Sequence, residues 1–169
     1  MKKIFLLVVS ALAVFAIYSY TDRQDDKAFK KEALENQMTA LDGSSVAFKD
    51  ILKKYKGKTV VIDVWASWCS DCIKGMPKVK ALQTQFPDAT YLFLSMDKTQ
   101  ENWKKGIEKY DVNGEHYMAT DGMKGIFGKS INLNWIPRYM VVDKKGKIAL
   151  FRAIEADDTK LIETLKTLK

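Results

Sequence analysis

At 169 residues the chain has room for one ordinary domain, and its 47% hydrophobic content is enough to form a core. The formal net charge of +7 does not indicate a nucleic-acid-binding protein, because the lysines are interspersed with acidic residues, as in residues 104–109. A nucleic-acid-binding protein would gather them into a stripe supported by a binding motif, and we find none. We expect no nucleic-acid partner.

The first 20 residues have the pattern of a targeting segment. Lys2 and Lys3 precede an apolar run over residues 4–17, as in the charged and hydrophobic regions of a signal peptide. A spanning helix needs about 20 apolar residues, a length reached only if residues 18–20 are included. We therefore expect a signal peptide or an N-terminal membrane anchor at 1–20, and an extracytoplasmic (periplasmic) remainder, either secreted or held at the inner membrane by residues 4–20.

The segment after the targeting sequence is polar and precedes the first structured element. Residues 21–40 predict a polar linker, residues 41–45 a turn, and residues 46–55 a helix with apolar residues at helical spacing. We place the domain at residues 41–169.

The most informative stretch follows. Residues 59–64 are β-branched and apolar without alternation, which predicts a strand buried on both faces. After a turn at residues 65–68 come Cys69 and Cys72, the two cysteines of the chain, which share the first turn of a helix if one begins at Cys69. A structural zinc site needs four ligands, and the sequence adds only one distant histidine. A redox dithiol is therefore favoured over a metal site.

The remaining segments alternate between helical and strand patterns. The order of elements predicts an α/β domain with a mixed sheet. We expect helices at 72–86, 100–110 and 159–168, strands at 90–96, 139–142 and 147–151, a hairpin turn at 143–146, and a less regular region at 111–134 with a short strand at 117–118 and a helical turn at 123–127.

Two motifs resemble the thioredoxin superfamily. The first is the run W-A-S-W-C-S-D-C at 65–72, with Pro77 five residues later. The second is W-I-P-R-Y at 135–139, where an apolar residue and a proline precede a strand, as in the cis-proline loop of that superfamily. The surplus sequence around residues 98–130 is similar to the insertion of the exported TlpA/ResA-like branch. The resemblance implies a thioredoxin-like mixed β-sheet flanked by helices, with a helix-containing insertion before the cis-proline loop.

The resemblance also implies roles for the site residues. Cys69 at the helix N-terminus would be the attacking thiol, since the helix dipole favours its thiolate, and Cys72 would be the resolving thiol of a redox disulfide. Asp63, a carboxylate within an apolar strand, would be the buried proton acceptor for Cys72. The alternative for Asp63 is a strand-end carboxylate that reaches solvent or a backbone donor.

The proline loop is implied to hold the substrate. A cis Ile136–Pro137 bond would present its backbone to a substrate strand; the alternative is an ordinary trans turn proline. Of Trp65 and Trp68, we expect one in the core and the other beside the disulfide, and we assign Trp68 to substrate binding. Arg138 either contacts substrate or is a solvated edge residue.

One position departs from the TlpA/ResA-like pattern. Gly75 stands where those proteins often carry a glutamate, so the role of that glutamate is not transferred to this chain.

The function implied is an extracytoplasmic thiol-disulfide oxidoreductase that acts on protein thiols and disulfides and needs no cofactor or metal. Asp71 places negative charge beside Cys69 and disfavours its thiolate, which predicts a reductant or isomerase rather than a strong oxidant. We favour the reductant, which would itself be reduced by a membrane electron donor. The alternatives are a copper-binding chaperone that uses Cys69, Cys72 and His116, and a non-catalytic module that binds peptides in the same groove.

Overall fold

The computed structural model describes residues 27–169. The predicted targeting segment and the first part of the predicted linker lie outside the described residues. No helix within 27–169 is both long enough and apolar enough to cross a membrane.

The described chain forms one seven-stranded sheet with helices on both faces. The strand order is β2-β1-β5-β4-β3-β6-β7. The strands are β1 (Gln37–Ala40), β2 (Ser45–Ala47), β3 (Val60–Trp65), β4 (Thr90–Ser95), β5 (Glu115–Ala119), β6 (Arg138–Val142) and β7 (Ile148–Ala153). The helices are α1 (Lys31–Glu35), α2 (Phe48–Lys54), α3 (Ser70–Gln85), α4 (Gln100–Tyr110), α5 (Ile126–Ser130) and α6 (Thr159–Thr167).

Strand β3 is central to the sheet and leads into the site. It pairs in parallel with β4 and antiparallel with β6, and all six of its residues are buried. Since the crossovers from β3 to β4 and from β4 to β5 run in the same direction, the right-handed rule places α3 and α4 on one face of the sheet. Consistent with this, Gly75 of α3 lies beside Tyr139, and Gly106 of α4 lies against Trp65.

The opposite face is covered by α1, α2 and α5. Phe48 of α2 packs edge-to-face against Phe29 on one side and Phe127 on the other, with ring centroids 5.0 Å apart in both pairs. Such pairs contribute about 1 kcal/mol each beyond the apolar area that they bury. This aromatic cluster ties the N-terminal segment to the domain.

The structure corrects the predicted N-terminal boundary. Ala33 is fully buried, and β1 pairs with both β2 and β5, so the chain is part of the domain well before Leu41. The predicted helix at 46–55 begins at Phe48, because residues 45–47 form β2 of a hairpin with β1. The few apolar residues of the segment predicted to be a linker, among them Phe29, Ala33 and Met38, pack into the core.

The insertion before the proline loop is confirmed, and it adds a strand to the sheet. Helix α4 has the predicted bounds, is capped by the Thr99 hydroxyl and ends at Asp111 in the left-handed conformation. The chain then forms β5, a longer strand than the two residues predicted, which pairs in parallel with β4. The predicted helical turn lies slightly later, as α5.

Candidate active site

The dithiol lies where β3 passes into α3. Cys69 is the N-cap residue of α3, and the backbone N–H of Cys72 donates to the Cys69 Sγ at 3.1 Å. The two cysteines form a disulfide, with their Cα atoms 5.3 Å apart. An N-cap residue normally accepts this hydrogen bond with an oxygen atom. The Cys69 sulfur therefore sits at the positive end of the helix dipole, where a thiolate is stabilised.

The proline loop faces the disulfide from β6. The Ile136–Pro137 peptide bond is cis, which confirms that prediction. The Cys69 Sγ lies 3.5 Å from the carbonyl oxygen of Ile136. Cys72 is more deeply buried than Cys69, with 1% of its surface exposed against 6%. The two cysteines therefore differ in exposure, and Cys69 is the more accessible of the two.

Asp63 lies in the middle of β3, buried with 3% of its surface exposed. Neither of its carboxylate oxygens has a hydrogen-bond partner of full geometry among the described residues. Burial raises the pKa of Asp63 to about 8, and the hydroxyl of Tyr139, directly across in β6, lowers it in part. The alternative reading, a carboxylate that reaches solvent or a backbone donor, is wrong.

A groove runs beside the proline loop. It has a volume of about 260 Å³, and its apolar wall includes Trp135, Pro137 and Ile154. Trp135 and Ile154 are about half exposed. Trp68, next to Cys69, is 58% exposed, whereas Trp65 is fully buried, which is the division expected of the two tryptophans. Exposed aromatic and apolar side chains thus surround a nearly buried disulfide.

A family model described as Thioredoxin-like matches residues 57–148, more than half of the chain. The chain belongs to this thioredoxin-like family. Its matched segment contains both cysteines, Asp63 and the cis-proline loop. The family and the intact dithiol identify the chain as a thiol-disulfide oxidoreductase.

Proteins that resemble this chain in sequence, and solved structures that resemble it in fold, carry names that agree with this chemistry. A thiol-disulfide oxidoreductase ResA of Bacillus cereus (strain ATCC 10987 / NRS 248) is 28% identical over 172 residues, which cover 99% of this chain and 94% of the relative. The thioredoxin domain of a Bacteroides vulgatus thiol-disulfide oxidoreductase is 27% identical, with a TM-score of 0.66 over 84% of this chain and 99% of that one. A thiol:disulfide interchange protein of a Bacteroides species is 29% identical, with a TM-score of 0.62 over 78% and 84%.

A buried carboxylate that sequence reasoning missed holds the loop before Cys69. Asp97 follows β4 and is 1% exposed. It accepts hydrogen bonds from the backbone N–H of Ser67 at 3.0 Å, from the Ser67 hydroxyl at 2.6 Å and from the Ser95 hydroxyl at 2.7 Å. The sequence offered one signal for this contact, the polar Ser67 between Trp65 and Trp68 in the turn before Cys69. Asp97 thus fixes the backbone two residues before Cys69.

Arg138 has neither of the roles that the sequence suggested. It is fully buried, and its guanidinium donates to the carbonyl oxygens of Ile131 and Asn132 and to the side-chain oxygen of Asn134. Burial, together with the charge of Arg152, lowers its pKa to about 10. Its contacts brace the segment that leads to Trp135 and the cis proline.

The position of His116 argues against the alternative of a copper-binding chaperone. His116 lies in β5, not in a loop; it is buried, stacks on Phe93, and its Nε2 lies 2.9 Å from the carbonyl oxygen of Val112. No cluster of three His, Cys, Asp or Glu side chains within residues 27–169 could hold a metal ion. The three proposed copper ligands are therefore not brought together.

Proposed function

We propose that this thioredoxin-like protein is an extracytoplasmic reductant of protein disulfides, with Cys69 as the attacking and Cys72 as the resolving thiol. The observation that carries the proposal is the arrangement of the disulfide, which lies at the N-terminus of α3 beside the cis Ile136–Pro137 loop and follows the strand that holds the buried carboxylate of Asp63. Each of these elements supports one step of thiol-disulfide exchange.

In the first step the Cys69 thiolate attacks a substrate disulfide. A mixed disulfide forms between Cys69 and one substrate sulfur, and the other substrate sulfur leaves as a thiolate. In the second step the Cys72 thiolate attacks Cys69, so that the substrate leaves fully reduced and the protein holds the Cys69–Cys72 disulfide. The greater exposure of Cys69 supports this order.

Asp63 is proposed as the base for the second step. The Cys72 thiol must lose a proton before it can attack, and an ordinary thiol has a pKa near 8.5. A carboxylate whose pKa is about 8 accepts that proton at little free-energy cost. Burial thus brings the pKa of Asp63 close to that of an ordinary thiol, the kind of group from which it would take the proton.

The substrate is proposed to bind as an extended segment along the proline loop. The backbone at Ile136 and Pro137 would pair with the substrate chain, and the Ile136 carbonyl already lies beside the Cys69 sulfur. The exposed ring of Trp68 would pack on the substrate from the other side of the disulfide. A broad, partly apolar surface of this kind suits unfolded or flexible protein segments.

The direction of electron flow is proposed from the charges around Cys69. Asp71 lies in the first turn of α3, and neither Ser70 nor Asp71 supplies a positive charge. A strong oxidant needs a strongly stabilised thiolate, and a nearby carboxylate opposes that. A reductant must itself be reduced again, so we propose a membrane electron donor, with residues 4–20 serving as an export signal or as an anchor close to that donor.

Reduction of insulin by the protein with dithiothreitol, together with trapping of mixed disulfides, tests the dithiol roles. We expect Cys72→Ser to accumulate the mixed disulfide and Cys69→Ser to form none; the reverse pattern would contradict the assignment. The reduction potential against glutathione tests the direction. A value near −270 mV, as in thioredoxin, is expected, and one near −120 mV would refute the reductant role.

A further inference from the structure

A base that takes a proton from Cys72 must also release it, and Asp63 has no direct route to solvent. The side chain is almost fully buried, and both oxygens are shielded without a hydrogen-bond partner of full geometry. A second polar group has to carry the proton outward if Asp63 is to act in every turnover.

Tyr139 is the polar side chain placed to do so. It is the cross-strand partner of Asp63 in β6. Its hydroxyl oxygen lies 3.7 Å from where a Cβ would stand on Gly75 of α3. Tyr139 and Gly75 both line the groove beside the proline loop. Tyr139 is itself buried, with 1% of its surface exposed, and it borders both the buried carboxylate and the floor of that groove.

We propose that the Tyr139 hydroxyl relays protons between Asp63 and the groove. The inference rests on the proposed function, since it concerns the proton that Cys72 gives up. In the step, the protonated Asp63 carboxyl donates to the Tyr139 oxygen while the hydroxyl releases its own proton to water in the groove. Asp63 returns to the carboxylate, Tyr139 returns to the phenol, and no electron moves.

The electrostatics of Tyr139 suit a relay and not a base. Burial, and next the negative charge of Asp63, raise the pKa of Tyr139 well above its ordinary value, so the phenol stays protonated. Its hydroxyl can then pass a proton on only by accepting one at the same time. The charged groups around the path are Asp63 of β3, Asp71, Lys74 and Lys78 of α3, and Glu155 and Asp157 before α6.

Gly75 explains how the hydroxyl meets the groove. Gly75 has no side chain that could cover the hydroxyl further, and the 1% of the Tyr139 surface that is exposed leaves a narrow contact with the groove. A single Cβ would make an ordinary contact with the hydroxyl oxygen at 3.7 Å, whereas a longer side chain would cover it. The glycine at this position thus leaves open the place where the proton would leave.

The test is Tyr139→Phe, with the rate of resolution of a preformed mixed disulfide measured by stopped flow from pH 5 to 9. We expect resolution at pH 7 to slow by about tenfold, with formation of the mixed disulfide unchanged. The Tyr139 hydroxyl lowers the pKa of Asp63, so its loss should also move the midpoint of the pH profile upward. Tyr91→Phe is the matched control. It removes the hydroxyl of another buried tyrosine, but that hydroxyl donates to the backbone carbonyl oxygens of Leu82 and Phe86 and not to Asp63.

Two further variants separate the possible outcomes. Gly75→Leu retains the phenol and should slow resolution by covering it, which keeps the proposal testable if Tyr139→Phe fails to fold. In an Asp63→Asn background, Tyr139→Phe should have no additional effect on the resolution rate, because the relay acts through Asp63. Unchanged rates in both Tyr139→Phe and Gly75→Leu would overturn the relay while leaving the dithiol chemistry intact. Loss of disulfide reduction in the wild type would instead refute the proposed function.

Discussion

Replacement of Asp63 by Asn should make the stability of the protein less dependent on pH. The pKa of Asp63 is raised from the model-compound value of 3.8 to about 8 in the folded state. The folded protein therefore binds this proton more tightly than the unfolded chain does. Below pH 4 both states are protonated, and the group has no effect on stability. As the pH rises from 4 to 8, the unfolded chain ionises first and the folded state loses stability relative to it.

The size of the effect follows from the pKa difference. Each pH unit between the two pKa values changes the free energy of unfolding by about 1.4 kcal/mol. Between pH 5 and pH 7 the wild type should therefore lose about 3 kcal/mol from this group, whereas Asp63→Asn should lose nothing at that position. The buried amide has its own desolvation cost, of about 1–3 kcal/mol, but that cost does not depend on pH.

Urea unfolding of the oxidised proteins at pH 5, 6, 7 and 8 measures this difference. The gap in the free energy of unfolding between Asp63→Asn and the wild type should grow in favour of the variant up to pH 8 and then level off. Asp88→Asn, a change at an exposed carboxylate, is the control and should show no such growth. A gap that stays constant across the range would refute the raised pKa, and with it the assignment of Asp63 as a base tuned to a thiol.

Three more predictions follow from the surroundings of the dithiol. Brief iodoacetamide labelling of the reduced protein at neutral pH, read by peptide mapping, should modify Cys69 and not Cys72, because Cys69 is more exposed and caps the helix; predominant label on Cys72 would reverse their roles. Asp97→Ala should lower the free energy of unfolding by about 3 kcal/mol, since it leaves buried hydroxyl and amide donors unpaired; a loss below 1 kcal/mol in urea would contradict this. Gly106→Ala should destabilise by about 1–3 kcal/mol, because its Cβ would come within 2.4 Å of the active-site loop, whereas Gly75→Ala, with room for a Cβ in the same kind of helix, should be neutral or stabilising in thermal melts.

The sequence predicts the parts of this molecule that depend on local pattern. Uninterrupted apolar runs predicted β3 and β4, the spacing of apolar residues predicted α4, and the pair of motifs around Cys69 and Pro137 predicted the fold. The cis bond before Pro137 was predicted from the resemblance and is present. These features are encoded within a few residues of where they are observed.

The features that the sequence missed depend on contacts between distant segments. β1 has few apolar residues, and only its pairing with β5, almost 80 residues away, makes it part of the sheet. Asp97 looks like the end of a strand until its bonds to Ser67, 30 residues earlier, are seen. Arg138 was expected either to contact substrate or to lie at a solvated edge, but it is buried, and two carbonyl oxygens of the preceding loop accept hydrogen bonds from it. No local pattern reveals such partners.

The burial of Asp63 links the stability of the domain to its chemistry. A solvated aspartate has a pKa near 3.9, so it would have to take a proton from a thiol of pKa 8.5 at a cost of about 6 kcal/mol. With its pKa raised to about 8, that cost nearly disappears. The same shift lowers the stability of the folded protein progressively from pH 4, by a similar amount once pH 8 is reached, because both effects arise from the loss of solvation of one carboxylate. Desolvation of Asp63 is therefore the common source of the loss of stability and of the basicity that resolution by Cys72 would require.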